Sequence, residues 1–317
     1  MLHYKRNAHW AVLLMIAILL VALPLTGCTT TVEDDSTQST EAEAAEAVFP
    51  ITVTDDAGRE VTIDAEPMRI VSLAPANTEI VAELGMLDRL VGVTTYCDYP
   101  PEVADIEKIG DFITPNLEAI AAADPDLVLA TTGVQAEVIT QLEELGASVV
   151  AIDPQTLDAL FVSIETVGAV TGTPAEADDL VASMQADLDG IAEKVADVAP
   201  VTCFIEIAQD PLFTAGPGTL LNDLVLAAGG DNVVAEEGYV GYSVEQLVTD
   251  DPEVYLATLG SMSDPSALDS RAGYESLSAV KDGRVYVLDD NLVSRPGPRV
   301  AEGVLSIAEA LHPDTEF

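Results

Sequence analysis

The run from Thr156 to Ala199 carries helix pattern alone, with strand–helix alternation on both sides of it. On the N-terminal side "IVSLA", "LVGV", "DLVLAT" and "SVVAID" read as strands. Between them "NTEIVAELGM", "NLEAIAAA" and "EVITQLEELG" read as helices, with Asn77 the expected N-cap of the first and Gly146 closing the last. After Pro200 the alternation resumes. Within the middle run "TPAE" (Thr173–Glu176) predicts a capping box with proline at the first helical position. Ala177, Leu180, Val181, Met184, Leu188, Ile191 and Val195 then form one apolar stripe. At ~1.5 Å per residue such a helix spans roughly 35 Å, the width of a small domain. The expected fold is α/β: two α/β lobes with largely parallel sheets, bridged by a long helix, with a ligand cleft between the lobes. The boundaries read as an N-terminal hairpin over 48–66 ("FPITVTDDAGREVTID", turning at Asp56-Ala57-Gly58), an N-terminal lobe over 67–155, the bridging helical segment over 156–199 and a C-terminal lobe over 200–317.

An internal repeat supports two related lobes. "NLEAIAAADPDLVLAT" (Asn116–Thr131) aligns without gaps on "SVEQLVTDDPEVYLAT" (Ser243–Thr258). Each unit has a polar cap, a glutamate two residues later, an Asp-Pro turn and a strand ending Leu-Ala-Thr. Glu118 and Glu245 are thus equivalent, each in a helix's first turn, where a carboxylate offsets the helix dipole by a few tenths of a kcal/mol.

The N-terminus reads as an export signal over 1–28. Lys5 and Arg6 precede the apolar run "AVLLMIAILLVALPL", and "LTGC" then offers Cys28 for lipidation. Residues 29–47 ("TTTVEDDSTQSTEAEAAEA") read as a flexible acidic tether. The expected location is therefore the extracytoplasmic face of the cell membrane, lipid-anchored. Two cysteines remain, Cys97 and Cys203, expected as free buried thiols in different lobes. With 12 basic against 55 acidic residues the formal charge is −43, which repels nucleic-acid phosphates and suits a saline milieu.

Catalytic machinery is hard to assemble from these residues. After signal cleavage one histidine, His312, is left, so Ser-His-Asp, Cys-His and HExxH sites are not available in their ordinary form. No P-loop is present, and "AGPGTL" is too short and wrongly spaced for a dinucleotide loop. Carboxylates abound, but no spacing singles out a catalytic pair. No enzymatic activity, resident metal or cofactor is expected. The break in "RIVSLAPANTEIVAELGM" at Pro75 places Ser72 beside no visible base, so this turn reads as a cleft wall.

Taken together, "RIVSLAPANTEIVAELG", "LVGVTTYCDYPPE", "IGDFITPNLEAI", "DPDLVLA", "LFTAGPGTLLNDLVLAAGGDNVV" and "SVEQLVTDDPEVYLA" resemble the periplasmic-binding proteins that serve ABC importers of cobalamin, iron-siderophores and haem. The resemblance runs from about Glu66 to the C-terminus, and "GVTTYCDYPPE" is most similar to the cobalamin branch. It implies a corrinoid ligand, with a ferric siderophore or haem as alternatives, delivered to an ABC permease dimer and its ATPase subunits. By resemblance Tyr96, Asp98, Phe112, Phe213, Tyr239, Tyr242, Asn291 and Arg295 would line the cleft, and Glu118 and Glu245 would dock on the permease. A departure is that the one tryptophan, Trp10, lies in the signal, whereas cobalamin-binding relatives often stack Trp on the ligand. Tyr242 and Met262 are candidate haem ligands. Arg295 and Arg299 in "SRPGPR" could face an anionic siderophore. A membrane-tethered sensory or adhesion domain of the same fold is the rival class.

Overall fold

The computed structural model describes residues 48–258 and 262–317. The signal, Cys28 and the tether lie outside the described residues.

Strands β1 (Ile51–Thr54) and β2 (Glu60–Ile63) form the expected antiparallel hairpin, Ile51 opposite Ile63. Its turn is set by Asp55, whose Oδ1 accepts the amides of Ala57 at 3.1 Å and Arg59 at 2.9 Å, and by Gly58 at φ +73°. Burial opposes ionisation of Asp55, but hydrogen bonds from Arg59 and the Ala151 amide outweigh it and lower its pKa.

Four parallel strands follow: β3 (Ile70–Ser72), β4 (Leu90–Val93), β5 (Leu127–Ala130) and β6 (Val149–Ala151), in the order β4-β3-β5-β6. Their near-continuous burial is what a sheet covered on both faces requires. The connecting helices are α1 (Pro75–Glu83), α2 (Leu117–Ala122) and α3 (Ala136–Glu144). Because β4 and β5 leave β3 on opposite sides, the carboxyl ends of β3 and β5 flank a topological switch point, where open α/β sheets bind ligands.

The middle run is two helices. α4 (Leu157–Thr171) ends at Gly172, left-handed at φ +85°, and α5 (Pro174–Val195) follows. The 22 residues of α5 span about 33 Å. α4 packs on β1 and α1, whereas α5 packs on α4 and on helices of the second lobe. The apolar stripe is buried as expected, except that Leu180 is half-buried. Each fully buried Val, Leu, Ile or Met there contributes roughly 1.5–3 kcal/mol. The capping box does not form: the Thr173 hydroxyl pairs with that of Thr171 at 2.9 Å and caps no amide.

The second sheet is mixed. β7 (Val201–Gln209), β8 (Leu212–Ala215), β9 (Gly230–Asn232), β10 (Tyr239–Gly241), β11 (Val254–Thr258) and β12 (Val285–Leu288) run in the order β10-β8-β7-β11-β12, with β9 also on β7. β9, β7, β11 and β12 are parallel, β8 is antiparallel to β7, and β10 is antiparallel to β8. Its helices are α6 (Leu220–Ala227), α7 (Val244–Asp250), α8 (Ser278–Lys281), α9 (Asp290–Val293) and α10 (Val300–Leu311). One apolar core runs from β3 and α1 through α4 and α5 to α6 and α10, with a satellite core outside each sheet.

The repeat is present down to the backbone. Asn116 Oδ1 accepts the amides of Glu118 and Ala119, and Ser243 Oγ accepts that of Gln246 at 3.0 Å. Among the described residues, Asp124 at φ +47° and Asp251 at φ +41° are the non-glycine residues with positive φ, and they are the equivalent aspartates of the two Asp-Pro turns. β5 and β11 then enter interior positions of their sheets. Asn77 is not an N-cap: α1 starts at Pro75, and the buried Asn77 amide donates to the Ala130 carbonyl at 3.2 Å.

Candidate functional site

A cavity of about 490 Å3 opens over the carboxyl ends of β3–β6 and is closed on its far side by the segment from α9 to Pro296. Its apolar walls are Ala74, Pro75, Ala76, Ile152 and Pro296 with Phe112 and Ile113, and the polar groups around them are Asn77, Tyr96, Thr131, Asp153, Asp290, Asn291, Ser294 and Arg295. The proline break after β3 is thus one wall. Ser72 is buried beneath it, donating to the Ala74 carbonyl at 3.0 Å and accepting from Thr78 Oγ1 at 2.8 Å.

The Phe112 loop is held from below. Buried Gln135 donates to the carbonyls of Phe112 (2.7 Å) and Leu73 (2.9 Å) and accepts the Thr131 amide (2.9 Å). One side chain therefore joins the ends of β3 and β5 to the aromatic loop. Asp111 Oδ1 accepts the amides of Ile113 and Thr114, and these bonds, with the Thr114 hydroxyl, lower its pKa.

Across the cavity mouth the two lobes are joined by charge. Glu79, on α1 and only 1% exposed, accepts Arg295 Nη1 at 3.1 Å and Arg299 Nε and Nη2 at 2.9 and 2.8 Å. Arg295 Nη1 also reaches Asp98 Oδ1 at 2.6 Å, and the Arg299 guanidinium lies 4.0 Å from the centre of the Tyr99 ring. The Arg295 bond, followed by its charge, holds Asp98 below the usual carboxylate pKa against its partial desolvation. Such a network is costly to break from one side, because the remaining charges stay desolvated.

Of the residues expected at the site, Tyr96, Phe112, Asn291 and Arg295 line the cavity, and Asp98 joins it through Arg295. Tyr239 stands 45% exposed on β10 and does not line the cavity; desolvation and then the charge of Asp153 raise its phenol pKa. Phe213 is half-buried on β8 opposite Gly241, away from the cavity. Tyr242 also lies outside it: the ring packs on Phe204 with centroids 5.3 Å apart and the hydroxyl donates to Asp250. Burial, then Asp250, raises its pKa further. Met262 is exposed and does not line the cavity. Arg295 and Arg299 are neutralised in place by Glu79 and Asp98, so neither is an uncommitted positive charge. Glu118 and Glu245 are exposed in the first turns of α2 and α7. Cys97 and Cys203 are free and buried, and burial, then Asp231, pushes the Cys203 thiol up to about 12.

Glu79, Asp153, Asp290 and Gln135 were not singled out in the sequence. A signal existed for Glu79: a carboxylate directly before the apolar "IVA" of "PANTEIVAE", in a chain where arginine is scarce and two arginines sit in "SRPGPR".

Two α/β lobes spanned by an antiparallel helix pair, with a cavity at the strand ends, define a solute-binding architecture. The periplasmic binding protein family matches residues 70–292, and the chain belongs to that family. It is 38% identical over 320 residues to the ABC transporter substrate-binding lipoprotein YvrC of Bacillus subtilis, covering 98% of each chain. It is 30% identical to the cobalamin-binding protein of Halobacterium salinarum over 283 residues, covering 84% of this chain and 75% of that one. The solved periplasmic heme binding protein of Pseudomonas aeruginosa superposes with a TM-score of 0.72 at 27% identity, over 79% of this chain and 94% of that one. Among the described residues no helix is long and apolar enough to cross a membrane.

Proposed function

We propose that the chain is the extracytoplasmic, lipid-anchored binding protein of an ABC importer and that its cavity takes a corrinoid. The observation that carries the ligand class is the state of the arginines. Arg295 and Arg299 are matched by Glu79 and Asp98, and Asp153 and Asp290 add two further carboxylates at the cavity. Two guanidinium groups against four carboxylates leave no positive field for a ferric siderophore or for haem propionates. An uncharged, amide-bearing macrocycle meets no such penalty. Tyr96, Phe112 and Ile113 offer apolar surface to the ring, and Asn77 and Asn291 offer polar groups to its side chains. The cavity covers part of such a ligand and leaves the rest toward solvent and toward Tyr239. A periplasmic binding protein works with a permease dimer and its ATPase subunits, and Glu118 and Glu245 are the proposed docking residues, one on each lobe. Cys28 is the proposed lipid attachment point.

Calorimetry on the full chain tests the ligand. Cyanocobalamin is expected to bind one to one, while a ferric hydroxamate and haemin give no saturable heat. Saturable heat from the ferric chelate or haemin, with none from cyanocobalamin, overturns the corrinoid reading.

A further inference from the structure

We propose that Asp153 and Asp290 make the cavity selective for ligands whose periphery ends in carboxamides, against the same ligands carrying free carboxylates. The inference rests on the corrinoid reading and narrows it.

Both carboxylates line the cavity, from opposite lobes. Asp153 follows β6, and Asp290 opens α9 directly after β12. Asp153 is held from three directions. Its N–H donates to Asp56 Oδ2 at 2.5 Å, its Oδ2 accepts the Thr132 hydroxyl, and its Oδ1 accepts Gln155 Nε2 at 3.2 Å. Asp56 is fixed in turn, since its N–H donates to the Ala151 carbonyl at 3.0 Å and its Oδ2 accepts the Ser163 hydroxyl at 3.1 Å. The N-terminal hairpin therefore sets the position of a cavity carboxylate that follows the sheet's last strand. Asp290 Oδ1 accepts the Ser294 hydroxyl at 2.5 Å.

Neither aspartate forms an ion pair among the described residues, whereas Asp98 and Glu79 both do. An ionised carboxylate is acceptor-only, with room for about four hydrogen bonds. Those bonds must come from donors, and a carboxamide brings two N–H groups. A ligand carboxylate brings none and adds a like charge at short range, which costs affinity steeply where water is partly excluded. Two aspartates on facing lobes read two parts of the ligand's edge, so an acid group at either part meets a like charge.

The test compares cyanocobalamin with the mixed monocarboxylic acids made from it by hydrolysing one peripheral amide. Equilibrium dialysis is run on the full chain in detergent, in wild type and in the D153N/D290N variant. Wild type is expected to bind the monoacids about tenfold or more weaker than cyanocobalamin at low salt. Screening should narrow the gap at 0.5 M salt, where the Debye length falls to about 4 Å. In D153N/D290N the gap is expected to close to about threefold or less, because the monoacids no longer meet a like charge, while cyanocobalamin itself binds somewhat more weakly for want of two charged acceptors. Equal binding of amide and acid forms by wild type overturns the inference and leaves the corrinoid reading standing. So does a gap that neither salt nor the double variant changes. Binding of neither ligand removes both.

Discussion

At the scale of the residue, Glu79 carries the largest energetic burden in the site. It lies under two guanidinium groups and has almost no contact with water. Replacing it by Gln keeps the volume but leaves both arginines short of their charge partner, and the expected cost is about 3 kcal/mol of folding stability. Urea unfolding of E79Q checks this, and a loss below about 0.5 kcal/mol would mean that Asp98 alone balances the pair. Asp98 is the opposite case, mostly exposed. Its folded pKa lies below the ordinary carboxylate value, so the unfolded chain binds more protons in that range. The pair's contribution is therefore fully present above about pH 4 and lost as pH falls through the depressed folded value. The stability difference between wild type and D98N should shrink below about pH 4, and a difference unchanged between pH 5.5 and 3 would contradict the pair's role. Residue by residue, it was the family resemblance and not residue type that pointed to Tyr96 and Phe112, both of which line the cavity. The sequence was silent where position comes from elsewhere. Asp153 is one of 55 acids, and what distinguishes it is a bond from the hairpin turn, 97 residues upstream in the chain.

At the scale of the element, periodicity and turn chemistry carried most of the fold. Alternation located all four strands of the first sheet, and the Asp-Pro repeat located β5, β11 and the helices before them. Caps were less legible. Asn77 and Thr173 both have the right chemistry, but Asn77 donates to the distant Ala130 carbonyl and the Thr173 hydroxyl pairs locally with that of Thr171. The short β8 and β10 were also missed, because strands of four and three residues beside glycines give little pattern. The two Asp-Pro turns make a direct comparison. Both aspartates adopt the left-handed conformation, but Asp251 also accepts the Ser278 amide at 2.7 Å and hydroxyl at 2.8 Å, linking α7 to α8. Replacing Asp124 by Ala is expected to cost about 1 kcal/mol or less, because Asp tolerates the left-handed region better than Ala does. Replacing Asp251 by Ala should cost about 2–3 kcal/mol, since the bonds to Ser278 go as well. Thermal unfolding of the two variants measures the difference, and equal losses would show that the Ser278 bonds contribute nothing.

At the scale of the whole molecule, the repeat gives two local features equivalent places, and the docking role proposed for them rests on that equivalence. Glu118 and Glu245 sit at the same place in equivalent units, one on each lobe, each exposed just past a capped helix start. A lone exposed carboxylate gains little from an ion pair, about 0–1 kcal/mol, because water already solvates it. Two carboxylates on one rigid body behave differently against a two-fold partner. The first contact fixes the second near its own site, and the second then forms at an effective concentration in the millimolar range or above. Losing either glutamate should therefore weaken docking by more than a single exposed pair is worth, and losing both should abolish it. Neither lines the cavity, so ligand affinity should stay unchanged. The experiment is ligand uptake into vesicles holding the cognate permease and ATPase, with the wild-type chain, E118A, E245A and the double variant added outside. Uptake is expected to fall about tenfold or more in each single variant and to background in the double variant, while calorimetry records unaltered ligand binding. Wild-type uptake by the double variant would leave helix-dipole compensation as the whole role of these two residues, and a parallel loss of ligand affinity would place their effect in the fold of the lobes and not at a docking surface.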